Sequence, residues 1–328
     1  MEKTRWGIAG AGKIAHRFAE GLMHVKGAQP AAVASRSLEK ARAFAAQYGF
    51  EKSCGSYEEM ALDSSIDIVY VATPHTMHMR DVLMFLGAGR AVVCEKPLAV
   101  NAREAEAMIK KAREKNVFFM EGMWTRFFPA IKKSLEWIKQ GRIGTPKMLH
   151  ASFGYDREEK NAWRYNRSMA GGALLDVGIY PLALAFAVFG ADPNKSSAFA
   201  RVENGIDMCN AFTLAYEDGA IAVLSSAIAL ALDNRAVVSG SKGSVIIGEG
   251  DWWHPSRAAL LVDGEEQEVF EEPFPTWGFQ YEAEAVQRCM LQGLKEAPEM
   301  PLDETLKIAQ MLDKLRADFG VAYEEDEL

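Results

Sequence analysis

The sequence predicts an α/β protein of two domains: a doubly wound parallel sheet comes first, followed by an α+β domain with a large, mainly antiparallel open sheet. Three observations support this. Short apolar runs alternate with helix-length amphipathic segments over residues 5–120, which is typical of parallel strands joined by crossover helices. Beyond residue 122, strand-like runs are separated by hairpin turns. The length of 328 residues also exceeds what one hydrophobic core usually supports.

The expected N-terminal domain covers residues 1–121. Its strand candidates are short apolar runs bounded by turn residues. They are Arg5–Ala9, Ala31–Ser35, Ile66–Ala72, Ala91–Cys94 and Val117–Met120. The helix candidates between them are Ile14–Met23, Leu38–Tyr48, Met77–Leu86 and Ala102–Lys115. Right-handed crossovers between such strands build a doubly wound sheet.

The expected C-terminal domain covers residues 122–328. Turn residues at 217–219 and 263–264 separate two pairs of strand-like runs, as in antiparallel hairpins. The pairs are Met208–Tyr216 with Ile221–Ala231, and Ala258–Val262 with Gln267–Phe270. Helices are expected at Ile131–Gln140, Gly172–Val188, Phe279–Leu294 and Asp303–Asp318.

Composition and charge limit the partners of this chain. Apolar residues make up 49% and charged residues 25%, as in globular proteins. The net charge is -8, and no stripe of Lys and Arg is present. A phosphate backbone or an anionic membrane would be poorly attracted, so we expect no nucleic-acid partner and no membrane partner.

Targeting signals and metal-site patterns are also not evident. The first five residues lack the apolar stretch of a signal peptide, and apolar runs such as Ala220–Leu232 are too short to span a bilayer. We therefore expect a cytoplasmic protein. Cys54, Cys94, Cys209 and Cys289 are widely spaced without a CxxC pair, which argues against a zinc site and a disulfide framework. No metal is expected.

A glycine turn, Gly10-Ala11-Gly12-Lys13-Ile14-Ala15, directly follows the first expected strand and opens the first expected helix. Glycines let backbone N–H groups and the helix N-terminus approach a pyrophosphate. The GxGxxA pattern alone is weak, but its strand-turn-helix context predicts a dinucleotide site. Its candidate contacts are Gly10, Gly12, Lys13 and Ile14. The alternative is an ordinary tight turn.

The second expected strand ends in Ser35-Arg36-Ser37, where folds that prefer NAD usually place an acid against the ribose 2′-OH. An acid would repel a 2′-phosphate, whereas an arginine would pair with it. We therefore expect NADP(H) to be preferred, with NAD(H) possible, and Arg36 to be the main contact. Ser35 and Ser37 are candidate hydroxyl donors. A compatible alternative is that Ser37 caps the next helix while Arg36 is solvated.

Lys96 follows the fourth expected strand within Cys94-Glu95-Lys96-Pro97, and ligands in open α/β folds bind beyond such strand ends. Its charge could stabilise a developing alkoxide and lower the pKa of a neighbouring acid, while Glu95 holds the ammonium. Glu95 and Lys96 are therefore candidate cofactor contacts. A single lysine, however, is more often simply solvated.

Asp176 and Tyr180 lie four residues apart among apolar neighbours, so an α-helix would place them on one buried face. A buried carboxylate and phenol need partners, which a substrate hydroxyl and Lys96 could supply. Spacing alone leaves a structural Asp-Tyr hydrogen bond as the commoner outcome.

Five segments together resemble the Gfo/Idh/MocA oxidoreductases over about residues 4–320. They are AGAGKIA at 9–15, TPHTMH at 73–78, CEKPLA at 94–99, EGMWTRFFPA at 121–130 and GGALLDVGIY at 171–180. WTRFFPA, together with a tyrosine rather than the more usual histidine at 180, resembles one branch of that family. That branch contains dimeric dihydrodiol dehydrogenases, glucose-fructose oxidoreductase and NADP-dependent xylose dehydrogenases.

The resemblance implies a Rossmann domain and an α/β domain with an open antiparallel sheet. It places Lys96 beside the nicotinamide and makes Tyr180 the proton donor or acceptor, with Asp176 orienting the substrate or the tyrosine. Ala170 departs from the pattern, since family members often have glycine there. This departure leaves the helix start intact but could narrow the pocket.

The resemblance also implies contacts from loops. Thr73, Pro74, His75 and His78 follow the third expected strand, where similar proteins border the cofactor, although His78 could equally pack a helix. Trp163 and Arg164 could close over the nicotinamide, or Arg164 could form a surface ion pair. Among Trp124, Arg126, Phe127 and Phe128, only Trp124 is a serious substrate contact, because such stripes are more often core.

The resulting hypothesis is reversible hydride transfer between NADP(H) and a CH–OH carbon of a sugar, polyol or cyclic diol, with Tyr180 moving the hydroxyl proton. Free tyrosine titrates near pKa 10, so a nearby cation such as Lys96 is needed. A variant assignment makes Lys96 itself the proton carrier. The alternatives are a non-catalytic nucleotide sensor and a cofactor-assisted sugar hydrolase or lyase.

An open antiparallel sheet needs cover on its second face, and the alternately apolar runs from Met208 to Leu232 could provide a subunit interface. We therefore expect a homo-oligomer, most simply a dimer, formed through the C-terminal sheet.

Overall fold

The computed structural model describes residues 3–156 and 163–327, which form two compact units. The first unit combines the chain up to Trp124 with the later segment Pro275–Leu306. The second combines Thr125–Phe274 with the residues from Lys307 onward. The division at residue 121 stays a prediction. The sequence did not predict that Pro275–Leu306 belongs with the first unit.

Strands and helices alternate in the first third of the chain, most of the later strands follow one another directly, and two helices come last. The strands are β1 Thr4–Ala9, β2 Ala28–Ala34, β3 Lys52–Cys54, β4 Ile68–Val71, β5 Ala91–Glu95, β6 Phe119–Gly122, β7 Pro146–Gly154, β8 Lys195–Glu203, β9 Ile206–Ala215, β10 Ile221–Ala227, β11 Ala236–Gly240, β12 Gly243–Ile247, β13 Arg257–Val262 and β14 Glu265–Glu271. The helices are α1 Lys13–Leu22, α2 Leu38–Tyr48, α3 Tyr57–Leu62, α4 His78–Gly87, α5 Ala102–Lys115, α6 Pro129–Lys139, α7 Ile179–Phe189, α8 Phe279–Leu291 and α9 Leu302–Phe319.

The first unit holds a six-stranded parallel sheet in the order β3-β2-β1-β4-β5-β6. This order reverses direction at β1, and open sheets of this kind bind ligands in the crevice beyond the carboxyl ends of the strands at the reversal, here β1 and β4. The predicted doubly wound sheet is confirmed. The prediction missed β3 and α3, because a strand of three residues carries no readable periodicity.

Helix α8 packs against α1 within the first unit. A Cβ atom at Gly21 of α1 would lie 2.8 Å from the backbone nitrogen of Gln280, so only glycine allows this approach. Trp6 of β1 donates to the Gln287 side chain over 3.1 Å, and Gln287 donates to the Lys26 carbonyl. The segment around α8 therefore completes the core of the first unit.

The second unit holds an eight-stranded sheet in the order β14-β13-β12-β11-β7-β10-β9-β8. Both predicted hairpins form, with β9 antiparallel to β10 and β13 antiparallel to β14. The pairing of β7 with β10 is parallel, which makes the sheet mixed but mainly antiparallel, as predicted. Helices α6 and α7 both pack on strands of this sheet.

One helical stretch, Arg167–Phe189, has the length and apolar composition of a membrane span, with a mean hydropathy of 1.9 over its most apolar window. That window is 89% buried inside the fold. Its position explains its composition, because a helix that is apolar on all sides fits a protein core as well as a bilayer. The stretch contains the predicted Gly172–Val188 helix.

Candidate functional site

The glycine turn lies between β1 and α1, in the first unit. Gly10 has a φ of +100°, and a Cβ atom there would lie 2.9 Å from the Ala72 carbonyl oxygen at the end of β4. Gly10 thus meets two requirements that exclude other residues: a left-handed backbone and a close approach. Gly12 is the N-cap of α1, and a Cβ atom at that position would meet nothing within 4 Å.

This turn fits a dinucleotide pyrophosphate. The first turn of α1 contains no acidic residue, so nothing opposes an anion at its free N–H groups. Lys13 is exposed at the first helical position and Ile14 is half-buried beside it, while Ala15 faces the core. The open space at Gly12 is what a phosphate-binding turn requires.

Ser35, Arg36 and Ser37 follow the end of β2. The buried Ser35 hydroxyl accepts from the Ser37 N–H over 3.3 Å, and the Ser37 hydroxyl caps α2 by accepting from the Lys40 N–H. Arg36 is exposed and forms no ion pair with any residue in the described ranges 3–156 and 163–327. The helix-capping alternative for Ser37 therefore holds, and no carboxylate within the described residues orients the Arg36 guanidinium.

The loop after β4 carries four candidate cofactor contacts. Thr73 is 9% exposed, and its hydroxyl has no hydrogen-bond partner in the described part of the chain. Pro74 is exposed and His75 is buried. A buried hydroxyl that lacks a partner, beside Gly10, is what a site completed by a ligand would show.

His78 ties two loops together instead of facing solvent. Its Nε2 lies 2.9 Å from the Thr73 carbonyl oxygen, and its Nδ1 lies 3.0 Å from the carbonyl oxygen of Pro97. The ring is 1% exposed, and burial lowers the pKa of the imidazole. The packing alternative for His78 fits these contacts, because the histidine joins the β4 loop to the segment that carries Lys96.

Glu95 is the last residue of β5, and Lys96 follows it directly. Glu95 is buried and accepts from the Tyr70 hydroxyl and from the Lys96 N–H over 3.2 Å. Burial raises the pKa of the Glu95 carboxyl to about 7, although the Tyr70 hydroxyl and the Lys96 charge both act to lower it. The Lys96 side chain, half-buried, stands next to a carboxyl group that titrates near neutral pH.

A second carboxyl in the first unit was missed by the sequence analysis. Glu282 on α8 is 0% exposed, and neither of its oxygens has a hydrogen-bond partner among the residues that the structure describes. Burial raises the pKa of Glu282 well above its usual value, and the nearby Glu95 charge raises it further. Burial of this carboxyl without a hydrogen-bond partner therefore favours its protonated form.

Asp176 lies in the second unit, inside a cluster of polar and aromatic side chains. Its carboxylate accepts from the Tyr155 hydroxyl and from Arg164 Nε, the latter over 3.2 Å. The Arg164 guanidinium lies 5.8 Å from the Tyr155 ring centroid and 5.3 Å from that of Trp163. Because the Arg164 side chain is only 12% exposed, this ion pair is not the surface contact given as the alternative.

The backbone between Asp176 and Tyr180 differs from the predicted α-helix. Residues Leu174–Gly178 form a π-helical segment, called the π-turn below, and α7 begins only at Ile179. A π-helical turn contains more residues than an α-helical one, so the four-residue spacing does not by itself align these two side chains. Such segments are rare and occur frequently at functional sites.

Tyr180 follows the π-turn and is 5% exposed. Its ring centroid lies 5.5 Å from that of Phe153 on β7. Phe153 in turn stacks on Trp253 with centroids 4.9 Å apart and planes 8° apart. The phenol therefore stands at an aromatic wall of the second unit.

The aromatic segment after β6 is core. Trp124 is 5% exposed and stacks face to face on Phe279, with centroids 4.7 Å apart. Phe127 and Phe128 are fully buried, and Arg126 donates to the Ala183 carbonyl over 2.6 Å. A substrate contact by Trp124 stays a prediction.

Ala170, where the family often has glycine, is buried and left-handed, with φ 48° and ψ 45°. That backbone conformation suits glycine and strains other residues. The glycine that the resemblance implies at this position would adopt the same backbone conformation without strain.

Each unit brings together part of the predicted set. The glycine turn, Arg36, the β4 loop and Lys96 belong to the first unit, while Arg164, Asp176 and Tyr180 belong to the second. Tyr155, Phe153, Trp253 and Glu282 were missed, because single aromatic or acidic residues without a motif give no local signal. In the described ranges, no three His, Cys, Asp or Glu side chains are grouped so that they could hold a metal ion.

Together, the fold and these residues define a class of protein: an oxidoreductase that uses a nicotinamide dinucleotide. Residues 4–123 match a family described as "Oxidoreductase family, NAD-binding Rossmann fold", and residues 131–246 match the GFO/IDH/MocA C-terminal domain. The chain belongs to the Gfo/Idh/MocA family of oxidoreductases. The resemblance carried by the five sequence segments is thereby confirmed.

Individual relatives agree along their whole length. The chain is 40% identical to trans-1,2-dihydrobenzene-1,2-diol dehydrogenase of Mus musculus over 98% of both chains. A 3-ketoreductase from Actinomadura kijaniata, crystallised with NADP and TDP-benzene, has a TM-score of 0.86 at 25% identity, covering 98% of this chain and 99% of that one. Aldose-aldose oxidoreductase from Caulobacter crescentus has a TM-score of 0.86 at 26% identity, covering 97% of each chain.

The Actinomadura enzyme has also been crystallised as single variants at two positions, one with a lysine changed to alanine or to glutamate and the other with a tyrosine changed to phenylalanine. Those two positions are as far apart in its chain as Lys96 and Tyr180 are in this one.

Proposed function

We propose that the protein catalyses reversible hydride transfer between NADP(H) and a CH–OH/C=O carbon of a sugar, polyol or cyclic dihydrodiol. The observation that carries the proposal is the buried Asp176, held by Tyr155 and Arg164 one turn before Tyr180. This arrangement suits a small hydroxylated ring beside the aromatic wall. The Asp176 carboxylate can bind a hydroxyl of the ring, and the Tyr180 phenol can move a proton.

The chemistry divides between the cofactor and the chain. A bound nicotinamide dinucleotide accepts or supplies the hydride. During oxidation Tyr180 takes the proton of the substrate hydroxyl as the C–H bond gives up its hydride, and during reduction it returns that proton. In this proposal Lys96 supplies the positive charge that favours the ionised phenol, and Asp176 fixes the hydroxyl that reacts. The alternative in which Lys96 carries the proton stays open.

Two relatives support this assignment of roles. The lysine and tyrosine variants of the Actinomadura 3-ketoreductase have the same separation as Lys96 and Tyr180. The mouse dehydrogenase is named for a dihydrobenzenediol, an apolar ring with two adjacent hydroxyls. The wall formed by Phe153 and Trp253 suits such a ring, because aromatic faces bind apolar ring surfaces.

A substrate screen tests the proposal. Purified protein is mixed with NADP or NAD and a panel of aldoses, polyols and trans-dihydrodiols, and absorbance of the reduced cofactor is followed. We expect a stoichiometric rise with at least one panel member, faster with NADP. A substrate that is cleaved or hydrolysed without net absorbance change would indicate the hydrolase or lyase alternative. Cofactor binding without any turnover would favour a nucleotide sensor.

The preference for NADP over NAD is tested in the same assay with the variant Arg36→Asp. Because the carboxylate replaces a cation near the predicted 2′-phosphate, the KM for NADP should rise by about 10²-fold while that for NAD changes far less. Arg42→Asp on α2 is the matched control, since Arg42 is also exposed and carries the same charge. Equal effects of Arg36→Asp on both cofactors would contradict the NADP preference.

We also propose that the protein is a homodimer formed through the second sheet. Phe199, Ile221 and Val223 are 78%, 36% and 37% exposed on one face of β8 and β10, and exposed apolar patches favour association. Light scattering should give twice the chain mass, and the double change Phe199→Asp with Val223→Asp should halve it. Val269→Asp on β14 is the control, and a monomeric unmodified protein would rule the dimer out.

A cytoplasmic location and the exclusion of nucleic-acid and membrane partners stay predictions. The exclusion of these partners rests on the net charge of -8 and on the lack of a Lys and Arg stripe in the sequence.

A further inference from the structure

A chain of three buried polar side chains lies beneath the π-turn in the second unit. Asp207 and Asn210 belong to β9 and Ser226 belongs to β10. Their exposures are 1%, 5% and 0%. Buried polar groups are costly unless they are hydrogen-bonded, so such a chain needs a reason to be there.

The three side chains connect the sheet to the start of the π-turn. One Asp207 oxygen accepts from the Leu174 N–H over 2.7 Å and from the Asn210 side-chain amide over 2.6 Å. The Ser226 hydroxyl donates to the side-chain amide oxygen of Asn210 over 2.9 Å. The N–H groups in the first turn of a helix have no partner within it, and Asp207 supplies one here.

Two glycines let the backbone lie directly on these side chains. Gly172 has a φ of +131°, and a Cβ atom there would run into the other Asp207 oxygen. A Cβ atom at Gly178, at the far end of the π-turn, would lie 2.7 Å from the Ser226 hydroxyl. The polar chain thus contacts both ends of the segment that carries Asp176.

We propose that Asp207 is a positioning residue, which fixes the π-turn through Asn210 and Ser226 and thereby places Asp176 and Tyr180 for reaction. This inference rests on the roles given to those two residues in the proposed function. Asp207 itself touches neither substrate nor cofactor in this proposal, since its carboxylate faces the Leu174 amide and Asn210.

The competing explanation is that Asp207 only caps the π-turn for stability. The free-energy cost of burying its carboxylate argues against that explanation. Burial raises the pKa of Asp207 to about 7 even though Asn210 and the Leu174 N–H act to lower it. Replacing a buried charge by apolar groups is often neutral or stabilising. An expensive acceptor at the start of a π-turn is therefore better explained by a geometric requirement than by stability.

The test compares Asp207→Ala, Asp207→Asn and Tyr216→Phe. Tyr216 packs against Phe189, at the opposite end of α7, and its hydroxyl has no partner in the described part of the chain. Asp207→Ala should lower kcat by about 10²-fold, the size of effect that a misplaced group produces. Because the glycine turn lies in the other unit, the KM for the cofactor should stay within about twofold.

Asp207→Asn should restore kcat to within about threefold of the unmodified enzyme, since an amide oxygen can still accept both hydrogen bonds. Tyr216→Phe should leave kcat unchanged. If Asp207→Ala lowers kcat only in proportion to the folded fraction measured by circular dichroism, or if Tyr216→Phe lowers it equally, Asp207 is structural and the inference is wrong.

Hydrogen exchange gives a readout independent of turnover. The Leu174 amide should exchange much faster in Asp207→Ala than in Asp207→Asn or Tyr216→Phe. If exchange is faster in Asp207→Ala but kcat is unchanged, the hydrogen bond from Leu174 to Asp207 exists in the unmodified protein but does not position the reacting residues, and the inference is wrong. If Tyr180→Phe retains full activity, the proton-transfer role proposed for Tyr180 fails separately, and unchanged Leu174 exchange in Asp207→Ala would refute the hydrogen-bonded link itself.

Discussion

Lys96→Ala and Tyr180→Phe are each expected to lower kcat by about 10³-fold, since loss of a proton-transfer group typically costs about 10²–10⁴-fold. A tyrosine needs a cation to act as a base near neutral pH. In the proposed function Lys96 is that cation, so removing either residue should disable the same step. The double variant should therefore be little slower than either single one, because residues that act as a unit are not additive.

The measurement is kcat with the best substrate of the screen, together with cofactor affinity by quenching of protein fluorescence. Lys52→Ala is the lysine control, because Lys52 pairs with Asp63 over 2.5 Å at the surface of the first unit. If Tyr180→Phe retains most of kcat while Lys96→Ala abolishes it, the tyrosine assignment fails and Lys96 is the proton carrier. Loss of cofactor binding in either variant would point to a binding role instead.

Glu282→Met is expected to stabilise the protein at alkaline pH. Glu282 is fully buried without hydrogen-bond partners in the described chain, and its pKa is raised well above the ordinary value by burial and then by Glu95. A carboxyl whose pKa is higher folded than unfolded contributes stability below the unfolded pKa and loses it as pH rises through the folded pKa. Stability should therefore decline from acidic toward alkaline pH.

Methionine removes this titration and fills a similar volume. At pH 8.5 the variant should be about 1–4 kcal/mol more stable than the unmodified protein, the range found when buried charged groups are replaced by apolar ones. The advantage should shrink toward pH 5. Urea unfolding at both pH values measures it, and Glu282→Gln should show the same flatter pH dependence with a smaller gain. An unchanged pH dependence in both variants would show that Glu282 does not titrate as described.

The fold could be predicted from the sequence where the periodic spacing of apolar residues extends over several turns of a helix. The helix Ala102–Lys115 was predicted with its correct first and last residues, because its capping residues and its apolar spacing indicate the same bounds. The three-residue β3 was not, since its pairing with β2 is decided by neighbours. The return of Pro275–Leu306 to the first unit was also unpredictable, because Gly21 reveals its close contact with α8 only in three dimensions.

The candidate site was predictable only in the parts that a local motif encodes. Gly10 and Gly12 were recognised from strand, turn and helix order, and the structure supplies the matching backbone conformation. The contact between Tyr155 and Asp176 joins residues 21 positions apart on separate elements, which no local pattern indicates. The π-turn was missed because apolar spacing over five residues cannot separate it from an α-helix.

The discontinuity of the first unit has a consequence for synthesis on the ribosome. Helix α1 has a buried face that includes Phe18 and Leu22, and α8, which packs on it, is translated only after the whole second sheet. At about 5–20 residues per second, roughly tens of seconds pass between the two helices. We therefore expect the nascent first unit to spend that interval with an apolar face uncovered, the kind of surface that chaperones bind. A gene fragment ending at residue 124 lacks α8 and so encodes an incomplete core.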